Sequence, residues 1–294
     1  EAEELVERIK HGGVLPMFTS CCPAWVKFVE YYYPEMIPHL TESRSPQIHA
    51  GAAYKTWWAE KEGIDPDKIR VISIMPCTSK KYEARHEKLK IDGRWPVDNV
   101  LTTRETAYLL KKHGIDLLSL ADSEVDQYGV YSGAAAIYGA SGGVMESALR
   151  TAAFLLEGKD LTKLEFEQVR GMQGIKKAEV TLAGKTYRVV VAMLATNMHQ
   201  LIQEVKADPN AYHYIEFMAC PGGCIGGGGQ PIPASDEKTI KRIDGLYQID
   251  SKMKMRLAHE NKVAQDFMKY VRGQSKERQH QLLFTSYSKK HKGE

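Results

Sequence analysis

Three short stretches hold all five cysteines of the chain, and each begins where a strand-like run stops. Val14 to Phe18 leads into Thr19-Ser20-Cys21-Cys22-Pro23. Ile69 to Met75, whose apolar residues alternate through Arg70-Val71-Ile72-Ser73-Ile74 and predict a buried strand, leads into Pro76-Cys77. Tyr212 to Ala219 leads into Cys220-Pro221-Gly222-Gly223-Cys224. Elsewhere the hydrophobic period is helical. Strands alternating with helices predict an α/β class with largely parallel sheets. In such folds ligands sit at the carboxyl ends of strands, where all three cysteine stretches stand.

The helical segments expected are 1–12, ended by Gly12-Gly13, then 23–33, 46–62, a helix starting at Thr78, and 103–113 with Thr102 or Thr103 as cap. Residues 115–132 read as a loop. A helix follows Gly142-Gly143, from about Val144 to Leu156. Strands are expected at Val169 to Met172, Ala178 to Leu182 and Tyr187 to Met193, with a turn at Ala183-Gly184, and residues 197–206 return to helix. Past Pro233 the chain becomes polar, with helices near 236–244, 254–272 and 276–284, and a frayed basic tail from Ser286.

An odd number of cysteines in 294 residues does not suggest a disulfide framework. Four ligands and one spare thiol is an economical partition. The plain alternative is five small buried hydrophobes. A net charge of +3 gives no argument for nucleic acid or a membrane surface, and no apolar run approaches the roughly 20 residues of a membrane span. No signal peptide is visible in this portion, so a cytoplasmic location is expected.

The stretch from Cys220 to Cys224 puts one thiol on a strand end and the other on a tight loop. Gly222 and Gly223 let the backbone approach a bulky group, and Gly226 to Gly229 extend that approach. Such a loop aims N–H groups at one point, which suits anionic sulfur, and hydrogen bonds to sulfur tune an iron site. The spacing is neither a common zinc nor a ferredoxin spacing; alone, it also fits a flexible loop with two incidental thiols. After Met75-Pro76-Cys77 come Lys80 and Glu83 at helical spacing. A lysine there can donate to an anionic ligand, although most lysines are solvated. Vicinal Cys21 and Cys22 point different ways. One is expected to reach a cluster. The other is a neighbouring thiol open to proton exchange, or simply a buried one.

With these residues in view, the chain resembles the di-iron hydrogenases. Their signatures T-S-C-C-P-x-W, M-P-C-x-x-K-x-x-E and E-x-M-A-C-x-x-G-C-x-x-G-G-G-x-P are matched at every specified position by Thr19 to Trp25, Met75 to Glu83 and Glu216 to Pro231. Gly139 to Glu146 and Ser45-Pro46-Gln47 resemble two further family stretches, so the likeness covers nearly the whole chain. It implies an active site of two parts, a 4Fe-4S cluster bridged through a Cys sulfur to a di-iron unit with carbon monoxide, cyanide and a bridging dithiolate amine. By motif position Cys22, Cys77, Cys220 and Cys224 hold the cubane, with Cys224 bridging. Cys21 is the spare thiol facing the amine, and Lys80 donates to a cyanide. Met75 and Met218 pack against the di-iron unit, although plain core filling suits either one. Pro76, Ala219, Ser45 and Gln47 belong to the same pocket, as does Tyr138, which stands where the family usually has Phe.

Glu1, Glu4 and Arg8 fall on one helical stripe, ordinarily a solvated salt-bridge face. The resemblance makes them the outer proton path, with a hydroxyl between the two Glu supplied by Thr41; Ser43 lies close by. The resemblance also implies a domain that begins some tens of residues earlier. The chain is therefore expected to be a portion of a longer polypeptide, or to be completed by another chain. The expected architecture is two lobes with twisted, largely parallel sheets flanked by helices and the cluster between them. Residues 1–235 form the catalytic domain, and 236–294 a helical segment wrapped around it, similar to a piece that some members carry as a separate small subunit. The implied activity is reversible reduction of protons to dihydrogen. Implied partners are a ferredoxin or other iron–sulfur or flavin subunits and dedicated maturation proteins. The rival readings are an iron–sulfur assembly protein and a hydrogen sensor.

Overall fold

The computed structural model describes residues 1–291. It contains two sheets. The first has four strands in the order β1 (Met17–Phe18), β6 (Tyr214–Met218), β5 (Lys185–Met193) and β4 (Ile175–Leu182). β1 and β5 both run parallel to β6, while β4 and β5 form an antiparallel hairpin turned at Ala183-Gly184. The second sheet pairs β2 (Ile72–Met75) with β3 (Asn99–Thr102) in parallel. The carboxyl ends of β1, β6 and β2 carry the three cysteine stretches, so both sheets aim their cysteines at one region.

The helices follow from local chemistry. α1 (Ala2–His11) stops at Gly12, which takes the left-handed conformation that ends helices. α2 (Pro23–Tyr32) starts on Pro23, whose missing N–H costs nothing in a first turn. Residues 46–62 form one helical rod, α3 (Pro46–Ala53) and α4 (Ala59–Glu62) joined by a π turn at Tyr54–Trp58. α5 (Ser79–Glu83) follows Cys77. α6 (Thr103–Lys112) carries a capping box: Thr102 Oγ1 accepts from the Glu105 amide, and the Glu105 carboxylate accepts from the Thr102 amide. Then come α7 (Gly133–Ala136), α8 (Gly143–Glu157), α9 (Ala195–Ala207), α10 (Asp236–Lys252), α11 (Lys262–Arg272) and α12 (Lys276–Leu283).

Five expectations need correction, one of them the helix near 254–272, which forms only as Lys262–Arg272 after a 3-10 turn at Ala258–Glu260. The strand from Val14 is only Met17–Phe18, because Pro16 has no N–H to offer the ladder. Val169 to Met172 is not a strand; a 3-10 turn at Glu167–Val169 takes its place, and β4 begins at Ile175. β2 is not buried on both faces, since Ile72 and Ile74 are 57% and 56% exposed. The sequence alternation was real, but the face carrying the isoleucines is uncovered. The tail from Ser286 is docked: Glu30, almost wholly buried, accepts from the Ser288 amide and pairs with Lys290 at 3.1 Å. Residues 292–294 of that tail lie outside the described residues.

A buried ion network ties α10 to α8. The Arg150 guanidinium, fully buried, donates to both carboxylate oxygens of Asp250 at 2.9 and 2.8 Å and to Glu146 at 2.6 Å. Arg256 donates to the same Asp250 at 2.6 Å, and Arg170 to Glu146. Asp250→Ala leaves two guanidinium groups without their shared carboxylate, and breaking a buried pair costs about 3–5 kcal/mol. The urea midpoint of the apo chain should fall accordingly; an unchanged midpoint would show that the C-terminal segment is not anchored there.

Candidate active site

The turn after β1 is built by its own motif. Thr19 Oγ1 accepts from the Phe217 amide at 3.0 Å, and the Trp25 indole donates to the Thr19 carbonyl at 2.9 Å. Trp25 stacks on Phe217 with ring centroids 3.8 Å apart. These contacts fix the exit of β1 against β6, and so place Cys22, the residue before α2, beside Ala219. Burial raises the Cys22 thiol, while amide donors from Trp25 and Ala219 work the other way. Burial pushes Cys220 up to about 11, with Cys22 and Cys77 adding to the rise and the Gly228 amide opposing it. Cys224 is pushed up further, by burial and then by Cys22 among its neighbours.

Glycine is required where the loops meet. Gly223 has φ +94°, and a Cβ there would lie 2.5 Å from the Ser141 nitrogen. A Cβ on Gly227 would lie 2.2 Å from the Pro76 carbonyl oxygen, to which Gly229 donates at 3.0 Å. The glycine loop thus presses on the strand end that carries Cys77.

Four of the thiols group together, and the fifth, Cys21, is the one that Glu1 acts on. Cys22, Cys77, Cys220 and Cys224 act electrostatically on one another. Cys21 instead feels Glu1 and Lys80 before it feels Cys224 and Cys22; burial, foremost, raises its pKa well above that of an ordinary thiol and keeps it protonated. Among the described residues no three His, Cys, Asp or Glu side chains converge on a single-ion site. A cubane carries its irons at separate corners, so its thiolates need not converge on one point. Four grouped thiols, two of them with backbone amide donors, fit such a cluster.

Lys80 is buried, not solvated. Its ammonium donates to the Glu83 carboxylate at 2.9 Å and to the Cys21 carbonyl at 2.8 Å. Burial works against its charge, but its partners, the Glu83 carboxylate first among them, outweigh burial and hold its pKa above the ordinary lysine value. Glu83 is itself held by Ser45 at 2.8 Å and by Gln47 at 2.6 Å, and Gln47 accepts from Ser73 at 2.8 Å. Ser45 and Gln47 therefore act on the Lys80 ammonium through Glu83, and Gln47 also donates to the Lys80 carbonyl at 3.2 Å. Met218 is buried in the core of the first sheet, whereas Met75 is half-buried beside the Ile48 and Val100 group. Ala219 and Tyr138 flank the same core as Met218, and the Tyr138 hydroxyl accepts from Ser147 at 3.5 Å.

Of the residues expected on a proton path, Thr41 and not Ser43 donates its hydroxyl to Glu4. Arg8 donates to the same carboxylate at 2.6 Å. Glu1 lies apart from this group: among the described residues no hydrogen bond joins it to Thr41, and its partner is the Tyr214 hydroxyl at 2.6 Å. Burial raises the Glu1 carboxyl, against the pull of that hydrogen bond. Sequence reading missed Tyr214, which looks like one more apolar position of a buried strand. It also passed over the environment of Glu216, whose carboxylate accepts from the Gly142 and Met145 amides at 2.6 and 2.7 Å at the start of α8. Burial pushes Glu216 up to about 7.

No helix among the described residues is long and apolar enough to cross a membrane. Residues 1–228 match the family described as the iron-only hydrogenase large subunit, C-terminal domain, and residues 236–290 match the iron hydrogenase small subunit. Iron hydrogenase 1 of Clostridium pasteurianum is 43% identical over 98% of this chain and 52% of its own length. The periplasmic Fe hydrogenase large subunit of Nitratidesulfovibrio vulgaris is 44% identical over 89% of this chain and 63% of its own. Cytosolic iron-sulfur assembly component 3 of Mus musculus is 31% identical over 97% of this chain and 62% of its own. The chain thus spans between half and two-thirds of these relatives. An apo FeFe-hydrogenase from Chlamydomonas reinhardtii superposes with a TM-score of 0.83 at 36% identity, covering 98% of this chain and 80% of that one. Matched over most of its length in sequence and in fold, the chain belongs to the iron-only hydrogenase family.

Proposed function

We propose that this chain catalyses the reversible reduction of protons to dihydrogen at a cubane-linked di-iron centre. The observation that carries the reading is the fifth thiol. Cys21 is the thiol that Glu1 acts on, and its carbonyl accepts from the Lys80 ammonium at 2.8 Å. A protein that only holds a cubane has no use for that arrangement. The assembly reading draws support from the 31% identity to the mouse assembly component, and it needs only Cys22, Cys77, Cys220 and Cys224.

In this reading those four cysteines would hold the cubane, and Cys224 would also hold the di-iron unit. When bound, the metal centre would relay electrons and supply the site where hydrogen is made or split. The chain's own residues bind, orient and move protons. The Lys80 ammonium, fixed by Glu83, offers its remaining N–H to a cyanide. Pro76, Met75, Met218, Ala219 and Tyr138 wall the pocket. Cys21 passes protons at its sulfur towards Glu1. Glu4, Thr41 and Arg8 continue the route outward, and the gap between Thr41 and Glu1 needs a small shift or an ordered water. Electrons come from a ferredoxin or an iron–sulfur or flavin subunit, and maturation proteins supply the di-iron unit. Residues 1–235 are the catalytic domain, and 236–294 wrap it.

The test is to mature the protein and record its infrared spectrum together with hydrogen evolution. Carbon monoxide and cyanide bands with turnover support the proposal; a cubane without those bands supports the assembly reading, and bands with negligible turnover support a sensor. In the same experiment Lys80→Ala should keep the cubane but lose most of its di-iron bands, because a charge-assisted hydrogen bond in a dry site is removed. Full di-iron occupancy in that variant would tell against the role given to Lys80.

A further inference from the structure

We infer that Tyr214 is a positioning residue of the proton route, its hydroxyl fixing the Glu1 carboxylate in the place from which it exchanges protons. Tyr214 is fully buried on β6, in an apolar cluster with Leu5, Val6, Met17 and Val189. A Phe would fill that space equally well. The hydroxyl has one partner among the described residues, Glu1 Oε1, at 2.6 Å. That length lies in the range of an O–H donor on an ionised carboxylate. Glu1 Oε2 has no hydrogen-bond partner among the described residues and is left to give and take protons.

The titratable groups that face Glu1 are Tyr214 and Glu216 from β6, Glu4 from α1, Cys21 from the turn after β1, Tyr138, and Tyr287 of the C-terminal tail. Of these, only Tyr214 bonds to it. Tyr214 itself is raised well above an ordinary tyrosine, by burial first and by Glu1 next, so it donates at every working pH and does not carry the proton. Its hydrogen bond lowers the Glu1 pKa. Without the hydroxyl Glu1 titrates higher, by about one unit for a bond to a charged group. During hydrogen oxidation Glu1 must accept a proton, so it must be ionised. The acid limb of the oxidation profile therefore moves to higher pH when the hydroxyl is removed.

The inference rests on the proposed proton route, and the experiment separates the two. Tyr214→Phe, Glu1→Gln and the double variant are matured, and hydrogen oxidation is followed against pH, normalised to the infrared bands of the assembled centre. Tyr214→Phe should keep those bands and move the acid limb up by about one unit. Added to Glu1→Gln, it should change nothing further. If Glu1→Gln turns over like the wild type, the route through Glu1 fails, and this inference with it. If Glu1→Gln is slow while loaded Tyr214→Phe keeps the wild-type limb, the tyrosine assignment alone is wrong. The same holds if loaded Tyr214→Phe differs from the wild type only in stability. Should that variant take up no centre, the apo chain answers instead: the carboxyl band that disappears in Glu1→Gln should titrate about one unit higher in Tyr214→Phe, and an unmoved band overturns the inference. Whatever charge precedes Glu1 is common to all variants and cancels.

Discussion

Ala at Cys22, Cys77, Cys220 or Cys224 should each leave a chain that holds no intact cubane. Loss of one thiolate strips an iron of its protein ligand, and nothing else within the set can replace it: the remaining thiol, Cys21, faces Lys80 and Glu1. Iron and sulfide content of the reconstituted chain, with the electron paramagnetic resonance signal of the reduced form, measures the outcome. The comparison between the two vicinal positions is the sharp one. Cys22, with amide donors from Trp25 and Ala219, is prepared to carry an anionic sulfur. Cys22→Ala should therefore abolish the signal while Cys21→Ala preserves it. A Cys22→Ala protein with a full and unaltered cluster would refute the ligand assignment at that position.

The second large effect lies in turnover. Cys21→Ala should assemble the whole centre and still lose about two to four orders of magnitude in hydrogen evolution, the usual contribution of a general acid–base group. Cys21→Asp should recover part of the loss, because a carboxyl restores a transferable proton. Glu4→Gln should be slow as well, since its carboxylate is the shared partner of Thr41 and Arg8. Metal content and hydrogen evolution are to be measured on the same samples. Wild-type turnover per assembled centre in Cys21→Ala would mean that Cys21 only packs. Loss of the cluster in that variant would mean that the two vicinal cysteines are assigned the wrong way round.

Much of the site was legible because its chemistry is written in consecutive residues. A strand end, a proline and a cysteine mark a candidate ligand without any knowledge of the partner sheet. The stop of α1 at Gly12, the start of α2 at Pro23 and the Thr102 cap are equally local. What the sequence withheld depends on long-range neighbours. Nothing near Tyr214 in the chain announces that a carboxylate 213 positions away will meet its hydroxyl. The polar tail after Ser286 reads as solvated, because Glu30, which holds it, lies on another helix. The alternation of Ile72 and Ile74 predicts a strand correctly but says nothing of whether anything covers them.

That uncovered strand has a practical consequence. β2 and β3 make a sheet of two strands whose β2 face exposes Ile72 and Ile74. Exposed apolar side chains on a strand face offer a surface for apolar residues of another molecule. Leu117 and Leu118 in the following loop add to the sticky surface. Handled as these residues alone, the chain will face self-association as the process competing with cluster loading. Dilution or a solubilising additive then governs yield as much as the supply of iron and sulfide does.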